Sequence, residues 1–316
     1  MVPVASRMHH SIYLTMCKIL SALTALILVG PMSYATNYYI AANGSDANPG
    51  TSIALPWQTL DALTQVNLAP GDTVFLRKGD RFRGTINLAQ GGNAGAPLVI
   101  TAYGTGQRPV ISGAEVLNGW QVSGANYTVQ VSSPSHGFFV DDKEQTIARY
   151  PNDHQYLWLD SAQTTYLKDS DLPNLASNLV NGAKMCIHTA QWCWEMTQLS
   201  ALTGNRADYT TPTTVIGTPQ YAYFLYDNLA HLDTAGEWVY VANTQTIHYQ
   251  PEGGIDPNTV NCESSVLQDG IQTSFQASYI VIEGLKFEKQ YGAGVYIAGQ
   301  TTAIFPSAIA ISATKI

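Results

Sequence analysis

Charged side chains are scarce in this sequence, and positively charged ones are the scarcer kind. Asp, Glu, Lys and Arg make up 12% of the 316 residues, and 15 basic residues stand against 23 acidic ones, for a formal net charge of −8. A surface of this sign repels the phosphates of nucleic acids and the headgroups of anionic lipids. The composition therefore argues against nucleic acid and membrane as partners. It also disfavours a strongly anionic polymer, unless a local basic groove receives it.

Long apolar runs are missing too, except near the start of the chain. Residues 19–30 are apolar, Arg7 and Lys18 are the only charged residues in the first 35, and Ser33 and Ala35 suit a cleavage site. The run is shorter than the about 20 residues that span a bilayer. The sequence predicts a signal peptide over residues 1–35, with an uncleaved anchor as the alternative. The mature product would be secreted or periplasmic, and loss of the two basic residues would take its net charge from −8 to −10.

Cysteine is rare, and an odd number remains in the predicted mature chain. Cys17 leaves with the signal peptide, while Cys186, Cys193 and Cys262 stay. In one continuous strand, seven residues place two side chains on opposite faces and about 23 Å apart, whereas a disulfide needs Cα atoms within about 7 Å. Cys186 and Cys193 can therefore bridge only if the chain turns between them. A pairing of Cys262 with either one, or three free thiols, stays open.

Several familiar catalytic and cofactor motifs are absent. No Ser–His–Asp arrangement, phosphate loop or zinc-ligand spacing occurs, and His154 and His231 stand alone. The oxygen-rich segment NGSDAN (Asn43–Asn48) could hold Ca²⁺, but a turn stabilised by its own Asn and Asp side chains is the favoured interpretation. We expect neither a metal nor another cofactor.

The sequence does contain a succession of short strand-like segments with glycine or proline between them. After an amphipathic helix that opens at Pro56, strand centres recur at Val74, Ile86, Ile100 and Ile111, at steps of 12, 14 and 11 residues. Such spacing is typical of a sandwich, a barrel or a β-helix. A helix across the end of stacked strands would cover their unpaired backbone groups, which favours a solenoid.

The sequence pattern changes over residues 114–265, where apolar and polar residues alternate more regularly and aromatic residues are dense. The clearest strands there are residues 221–226, 237–241 and 246–249. We interpret this region as an inserted β-rich module. Short aliphatic strands return after residue 266, but residues 300–316 contain no capping helix. We therefore expect a truncated or frame-shifted reading of a longer protein, which sequencing of the transcript beyond the stop would test.

Four segments resemble a known group of proteins. They are YYIAANGSDANPGT…PWQTLDAL…PGDTVFLRKG from Tyr38 onward, IARYPN (147–152), HLDTAGEWVY (231–240) and YIVIEGLKFEKQYGAGVYI (279–297). They are similar to the N-terminal cap, inserted module and coils of secreted right-handed parallel β-helix proteins, the pectate-lyase-like solenoids that include polysaccharide lyases and glycoside hydrolases. The resemblance implies an all-β fold in which residues 36–113 form the cap and first coils. Residues 114–265 would form a sandwich-like insert, and residues 266–316 would resume the coils incompletely.

The chemistry of this group needs particular side chains. Glycoside hydrolysis uses two carboxyl groups, about 5–5.5 Å apart for retention or 6.5–9.5 Å for inversion. The candidates are Asp141, Asp142, Asp153, Glu195, Asp233, Glu237, Glu263, Glu283 and Glu288. The pattern favours a strand-joining turn for Asp141–Asp142 and a structural role for Glu237. A lyase needs a base and a cation beside a uronic carboxylate, for which Lys286, Lys289 and Arg149 are available.

Substrate binding could fall to the dense aromatic residues, which are Trp192, Trp194, Tyr221, Tyr223 and Trp238. Alternation in one strand over residues 186–196 would place His188, Trp192, Trp194 and Met196 on a single face. A core role for this face is the more common outcome. Arg149 lies in an apolar run and would need a partner, which could be an acid that fixes the insert against the helix. Our candidates for substrate binding are Arg149, Trp192, Trp194 and Glu195.

These observations favour a secreted glycoside hydrolase acting on an extracellular polysaccharide or oligosaccharide. A lyase of uronate-containing glycans is the first alternative. A non-catalytic glycan-binding or surface scaffold protein is the second.

Overall fold

The computed structural model describes residues 35–210, residue 213, residues 221–298 and the backbone of residues 309–312. The predicted signal peptide, apart from Ala35, lies outside these residues, as does most of the segment expected to mark a truncated end. Among the described helices, none combines the length and apolar character needed to cross a bilayer.

The described chain is nearly all β. Its strands are β1 Asn37–Ile40, β2 Thr73–Arg77, β3 Arg81–Arg83, β4 Ile86–Leu88, β5 Leu98–Tyr103, β6 Val110–Ser112, β7 Ala114–Leu117, β8 Gln121–Ser123, β9 Asn126–Gln130, β10 Gly137–Val140, β11 Lys143–Glu144, β12 Thr146–Ile147, β13 Arg149–Tyr150, β14 Leu157–Trp158, β15 Ser161–Gln163, β16 Tyr166–Lys168, β17 Lys184–Ala190, β18 Cys193–Thr203, β19 Arg206–Tyr209, β20 Ala222–Tyr226, β21 Glu237–Val241, β22 Thr246–Tyr249, β23 Cys262–Ser265, β24 Ile271–Thr273, β25 Ile280–Glu283, β26 Lys286–Glu288, β27 Val295–Ile297 and β28 Ile309–Ser312. The described helices are short: an α-helix at Ser177–Val180 and 3₁₀-helices at Leu60–Gln65, Leu172–Asn174, Leu229–His231, Glu252–Gly254 and Pro257–Thr259.

The strands before and after the middle segment (residues 114–265) form three parallel sheets. Their orders are β1-β2-β5-β25-β28, β26-β6-β3 and β27-β24-β4. The chain visits the three sheets in turn, one strand in each, and the middle segment (residues 114–265) leaves after β6 and returns before β24. Like residues stack in register, as where Val74 pairs with Ile100 and Ile100 with Ile282. The predicted strand centres therefore lie in strands, and their side chains fill one shared core.

The predicted helix that opens at Pro56 is shorter in the structure. Trp57 makes a parallel bridge to Ile40, so it extends the end of a sheet and the helix begins only at Leu60. Leu60, Ala62 and Leu63 are buried in the core that the parallel sheets share.

The segment NGSDAN (Asn43–Asn48) holds the chain that leads into this short helix. One carboxylate oxygen of Asp46 accepts hydrogen bonds from the backbone N–H groups of Gln58 and Thr59, at 2.8 and 2.9 Å. The other accepts the Thr59 hydroxyl at 2.7 Å. Asp46 thus ties the loop to the entry of the helix, in agreement with the turn interpretation.

The middle segment forms three further sheets in which most strands are antiparallel. They are a four-stranded sheet β11-β10-β23-β7, a five-stranded sheet β12-β21-β22-β9-β8, and an eight-stranded sheet β13-β20-β17-β18-β19-β16-β15 with β14 also on β20. The first two share a buried core that includes Phe138, Trp238 and Ile247. The third has its own core, which includes Met185, Ile187 and Tyr223.

The prediction of one continuous strand over residues 186–196 is wrong. The chain turns between β17 and β18, and the two strands pair antiparallel. Cys186, Cys193 and Cys262 are all free. Burial raises the pKa of Cys186 to about 11 and that of Cys262 to about 12, so both stay as thiols at neutral pH.

Candidate functional site

Large apolar side chains are exposed together on the outer face of the eight-stranded sheet. We call this surface the aromatic face; its members are Tyr156, Trp158, His188, Trp194, Met196, Phe224 and Tyr226. Trp158 is 60% exposed, Trp194 42% and Met196 70%. Exposed apolar surface of this extent is typical of a binding site.

Strand pairing explains why these side chains meet. His188 on β17 lies opposite Trp194 on β18, and Cys186 opposite both Met196 and Phe224. Because side chains alternate across a sheet, the intervening Ile187 points to the core. The predicted common face of His188, Trp194 and Met196 therefore exists, although a hairpin and not one strand creates it, and it is exposed.

All rings of the aromatic face except that of Trp158 are connected by ring contacts in the described structure. Trp194 stacks on His188 with ring centroids 4.8 Å apart, and its centroid lies 5.6 Å from Tyr156 and 6.0 Å from Phe224. Such contacts fix ring orientation beyond what burial of area does. The face thus offers aromatic surface at low cost in side-chain entropy.

Arg149 lies on the same side of the sheet as this face, because it pairs with Tyr226 across β13 and β20. Its side chain is 8% exposed, and the guanidinium carbon lies 3.7 Å from the ring centroid of Phe224 and 5.1 Å from that of Tyr156. Nε and an Nη donate to the carbonyls of Pro151 and Gln155 at 3.1 and 2.7 Å. The acid partner is Asp153, at 3.5 Å. Arg149 therefore fixes the neighbouring loop rather than the insert against the capping helix.

The other two predicted binding residues lie elsewhere. Trp192 is at the tip of the β17–β18 hairpin and is 85% exposed. Glu195 is next to Trp194 in β18 and therefore points to the opposite side of the strand. The pKa of the Tyr209 hydroxyl is raised, mainly by burial and in addition by the nearby charge of Glu195. The structure thus brings Arg149 and Trp194 together and separates Glu195 from them.

Two of the five aromatic residues chosen from the sequence are buried in cores. Tyr223 and Trp238 are 0% and 3% exposed and belong to two different cores. Phe224 and Tyr226 occupy the aromatic face instead. The alternation within residues 221–226 contained this signal, but which of the two faces is buried depends on the packing of the sheet.

Within the described chain, four of the nine candidate carboxylates form ion pairs, namely Asp142, Asp153, Glu263 and Glu288, and all of these but Asp153 lie together. Glu263 contacts Arg83 and Lys289, Asp142 contacts Lys289, and Glu288 contacts Arg81. We call these six residues the ionic cluster. Burial alone would raise the pKa of Glu263, but its bonds to Lys289 and Arg83 outweigh this and hold the pKa below its ordinary value. A carboxyl group held ionised in this way is unsuited to act as a general acid.

The predicted turn at Asp141–Asp142 is present between β10 and β11. Both residues have positive φ, 46° and 65°, which matches the two central positions of a tight hairpin turn. Asp142 thereby projects to Lys289 in the segment that follows β26.

Glu237 is a buried carboxyl group. It is 2% exposed, Oε2 accepts the backbone N–H groups of Asp233 and Thr234 at 3.3 and 3.1 Å, and Oε1 has no hydrogen-bond partner among the described residues. Burial raises its pKa above the ordinary value and outweighs the backbone N–H groups nearby, which lower it. Its position beneath the surface supports the structural role predicted for it.

The pKa of Glu237 is raised whereas that of Glu263 is lowered, so the two carboxyl groups should change the stability of the protein with pH in opposite directions. A carboxyl group with a raised pKa in the folded state stabilises below its unfolded-state pKa, and the stabilisation is lost as pH rises through the folded-state pKa. We expect wild-type protein to lose stability relative to Glu237→Gln as pH rises from about 4 to 7. Thermal unfolding over this range measures it, with the exposed Glu252→Gln as control. A Glu237→Gln variant that instead weakens relative to wild type as pH rises would contradict the assignment.

The cations that a lyase would need are engaged. Lys286 Nζ lies 2.8 Å from Glu288, Lys289 contacts Glu263 and Asp142, and the donors of Arg149 face loop carbonyls. None of these three candidates in the described part of the chain is left to receive a uronic carboxylate.

Comparison with known proteins identifies relatives of part of the chain. No protein-family model matches it. Over 87 residues it is 40% identical to a lacto-N-biosidase of Bifidobacterium longum subsp. longum, which covers 25% of this chain and 5% of that protein. It is also 32% identical to a lacto-N-biosidase structure from Eubacterium ramulus over 26% of this chain and 14% of that chain, with a TM-score of 0.24.

A larger likeness is structural. A solved structure described as a glycoside hydrolase superposes on 81% of this chain and 51% of its own, with a TM-score of 0.62 and 19% sequence identity. At this identity the likeness is one of fold. The chain thus spans about half the length of that structure, and a much smaller share of the curated relative.

Proposed function

We propose that this chain is part of a secreted, cofactor-independent glycoside hydrolase whose partner is a polysaccharide or oligosaccharide. Its fold would be a right-handed parallel β-helix, with the middle segment inserted between the second and third strands of a coil. The observation that carries the proposal is the aromatic face, with exposed rings held in place by a buried arginine. Sugars present apolar C–H surfaces and polar rims, which aromatic rings with polar neighbours can receive.

The similarity to lacto-N-biosidases and the fold shared with a glycoside hydrolase support a hydrolase over the alternatives. The engaged state of Lys286, Lys289 and Arg149 argues against a lyase in this part of the chain. A binding scaffold uses the same face without cleavage, so activity must separate it from the hydrolase.

The purified protein should be incubated with a panel of plant, algal and host polysaccharides. New reducing ends without absorbance of an unsaturated uronate support the hydrolase. Reducing ends with that absorbance would replace it by a lyase. Binding without cleavage would support the scaffold, and a protein that neither binds nor cleaves any glycan would refute the carbohydrate proposal.

Trp194→Ala tests the role of the aromatic face directly. We expect glycan affinity to fall about tenfold or more, since truncation of a central aromatic anchor costs about 1.4 kcal/mol or more. Calorimetric titration measures it. Phe275→Ala is the control, because Phe275 is 67% exposed but lies between β24 and β25, outside the aromatic face. Equal affinities of the two variants would exclude Trp194 from the binding site.

A further inference from the structure

An open cleft of about 1130 Å³ adjoins the aromatic face. It lies between the eight-stranded and the five-stranded sheets, and its walls include Met196, Gln198 and Tyr226 on one side and Tyr240 on the other. Met196 and Tyr226 belong to the aromatic face as well, so the two surfaces are continuous. The volume slightly exceeds the range of about 300–1,000 Å³ that is usual for ligand pockets, and it gives room for a short oligosaccharide.

The described lining of this cleft offers no unpaired positive charge to an acidic sugar. Among the described residues that line it, Lys184 is the one with a permanent positive charge. Lys184 Nζ lies 2.6 Å from Asp227 Oδ2, and the side chain of Asp227 is 15% exposed. Glu144 is also in the lining and is exposed. Asp227 therefore neutralises the charge of Lys184, and Glu144 adds a further negative charge to the cleft.

We propose that the Lys184–Asp227 pair makes the cleft selective for uncharged oligosaccharides, with Asp227 as the specificity-determining residue. This inference rests on the proposed function. A uronic acid in the cleft would approach two protein carboxylates and would have to displace Asp227 to reach Lys184. Discrimination that arises from repulsion of the wrong ligand needs only such a placed charge. A neutral sugar meets aromatic rings and amide groups, and it carries no charge for the two carboxylates to repel.

Asp227→Asn isolates the charge with little change of shape. Asp227 has a φ of 58°, a left-handed conformation that Asn tolerates well. The variant keeps the side-chain size, removes the negative charge and leaves Lys184 free. Asp227→Gly, which also accepts positive φ, replaces it if the asparagine variant fails to fold.

The test uses two oligosaccharides of equal length, one neutral and one of uronic acids, chosen from those that the wild-type protein is found to bind or cleave and their uronate counterparts. We expect wild type to prefer the neutral ligand. Asp227→Asn should bind the uronate ligand about fivefold more tightly than wild type does, as a partly exposed charge pair allows, and added salt should reduce the gain. The double variant Lys184→Gln/Asp227→Asn should lose it.

Glu252→Gln serves as control, because it removes the same charge from an exposed pair with Lys143 that does not line the cleft. A wild-type protein that binds the uronate ligand as tightly as the neutral one would overturn the selectivity while the proposed function stands. So would an Asp227→Asn variant with unchanged preference, or a Glu252→Gln variant with the same gain. If the wild-type protein binds no glycan, the proposed function fails and this inference with it.

Discussion

Glu263→Gln is expected to lower the free energy of unfolding by about 3–5 kcal/mol, the cost of breaking a buried ion pair by removing one partner. Glu263 and Lys289 have side chains that are 1% and 5% exposed. Without the carboxylate, Lys289 keeps a buried charge whose other acid partner, Asp142, is 61% exposed. Arg83 also loses its acid partner.

The position of the ionic cluster makes this loss consequential. Arg83 ends β3 in the parallel sheets, Glu263 lies in β23 of the middle segment, and Lys289 follows β26 where the chain has returned to the parallel sheets. The cluster thus connects residues that are far apart in sequence across the junction of the two regions.

Chemical denaturation of wild type and variant measures the effect. The control is Glu252→Gln, whose exposed pair with Lys143 has a separation of 2.8 Å and should cost only about 0–1 kcal/mol. Similar losses in both variants would show that burial does not set the strength of the Glu263 interaction.

The ionic cluster should also make the free energy of unfolding fall at acid pH. Because the pKa of Glu263 is lowered in the folded state, its stabilisation is present above the unfolded-state value of about 4.3 and is lost as pH falls through the folded-state pKa. Glu263→Gln should therefore flatten the loss of stability below about pH 4. An unchanged loss of stability at acid pH would place the responsible carboxylates elsewhere.

Arg149→Met is expected to destabilise the protein by about 2 kcal/mol or more and to weaken glycan binding at the same time. The thioether side chain leaves the carbonyls of Pro151 and Gln155 without their charged donor, and hydrogen bonds to charged groups contribute about 1.5–3 kcal/mol. The cation–π contacts to Phe224 and Tyr156, worth up to about 2 kcal/mol when desolvated, are lost as well.

Arg206→Met provides a matched control. Arg206 also lies over a ring, 3.8 Å from the centroid of Tyr166, and pairs with Asp208, but its side chain is 42% exposed. The Arg206→Met variant should lose much less stability than Arg149→Met, because exposed ion pairs contribute little, and it should leave binding unchanged. Arg149→Lys keeps the charge without the planar fork and should fall between wild type and methionine. Arg149→Met with full stability but lost affinity would instead indicate direct contact with the glycan.

Much of the architecture could be predicted from local pattern. The strands at Val74, Ile86, Ile100 and Ile111 were predictable because aliphatic residues recur between turn-forming ones. The strand Glu237–Val241 has the predicted bounds for the same reason. The helix at Pro56 was less predictable, since the bridge between Trp57 and Ile40 is a contact between distant residues.

The candidate site was only partly predictable. Of the candidate binding residues, Arg149 and Trp194 lie on one surface, whereas alternation along β18 places Glu195 on the other side of the sheet. Tyr156 gave no sequence signal, because it precedes β14 in a loop that Arg149 holds by its carbonyl groups. The exposed state of Trp194 depended on which side of the sheet faces a core.

The sequence by itself determined the all-β character of the described chain, the buried side of the strands in the parallel sheets and the acidic composition. These follow from side-chain periodicity and from charge counts, which are properties of neighbouring residues. The tertiary structure alone decided that Cys186, Cys193 and Cys262 stay free, that Glu263 is neutralised while Glu237 is not, and that Asp227 reaches Lys184. Each depends on groups brought together from distant positions, where burial and charge act on pairs that no local pattern specifies.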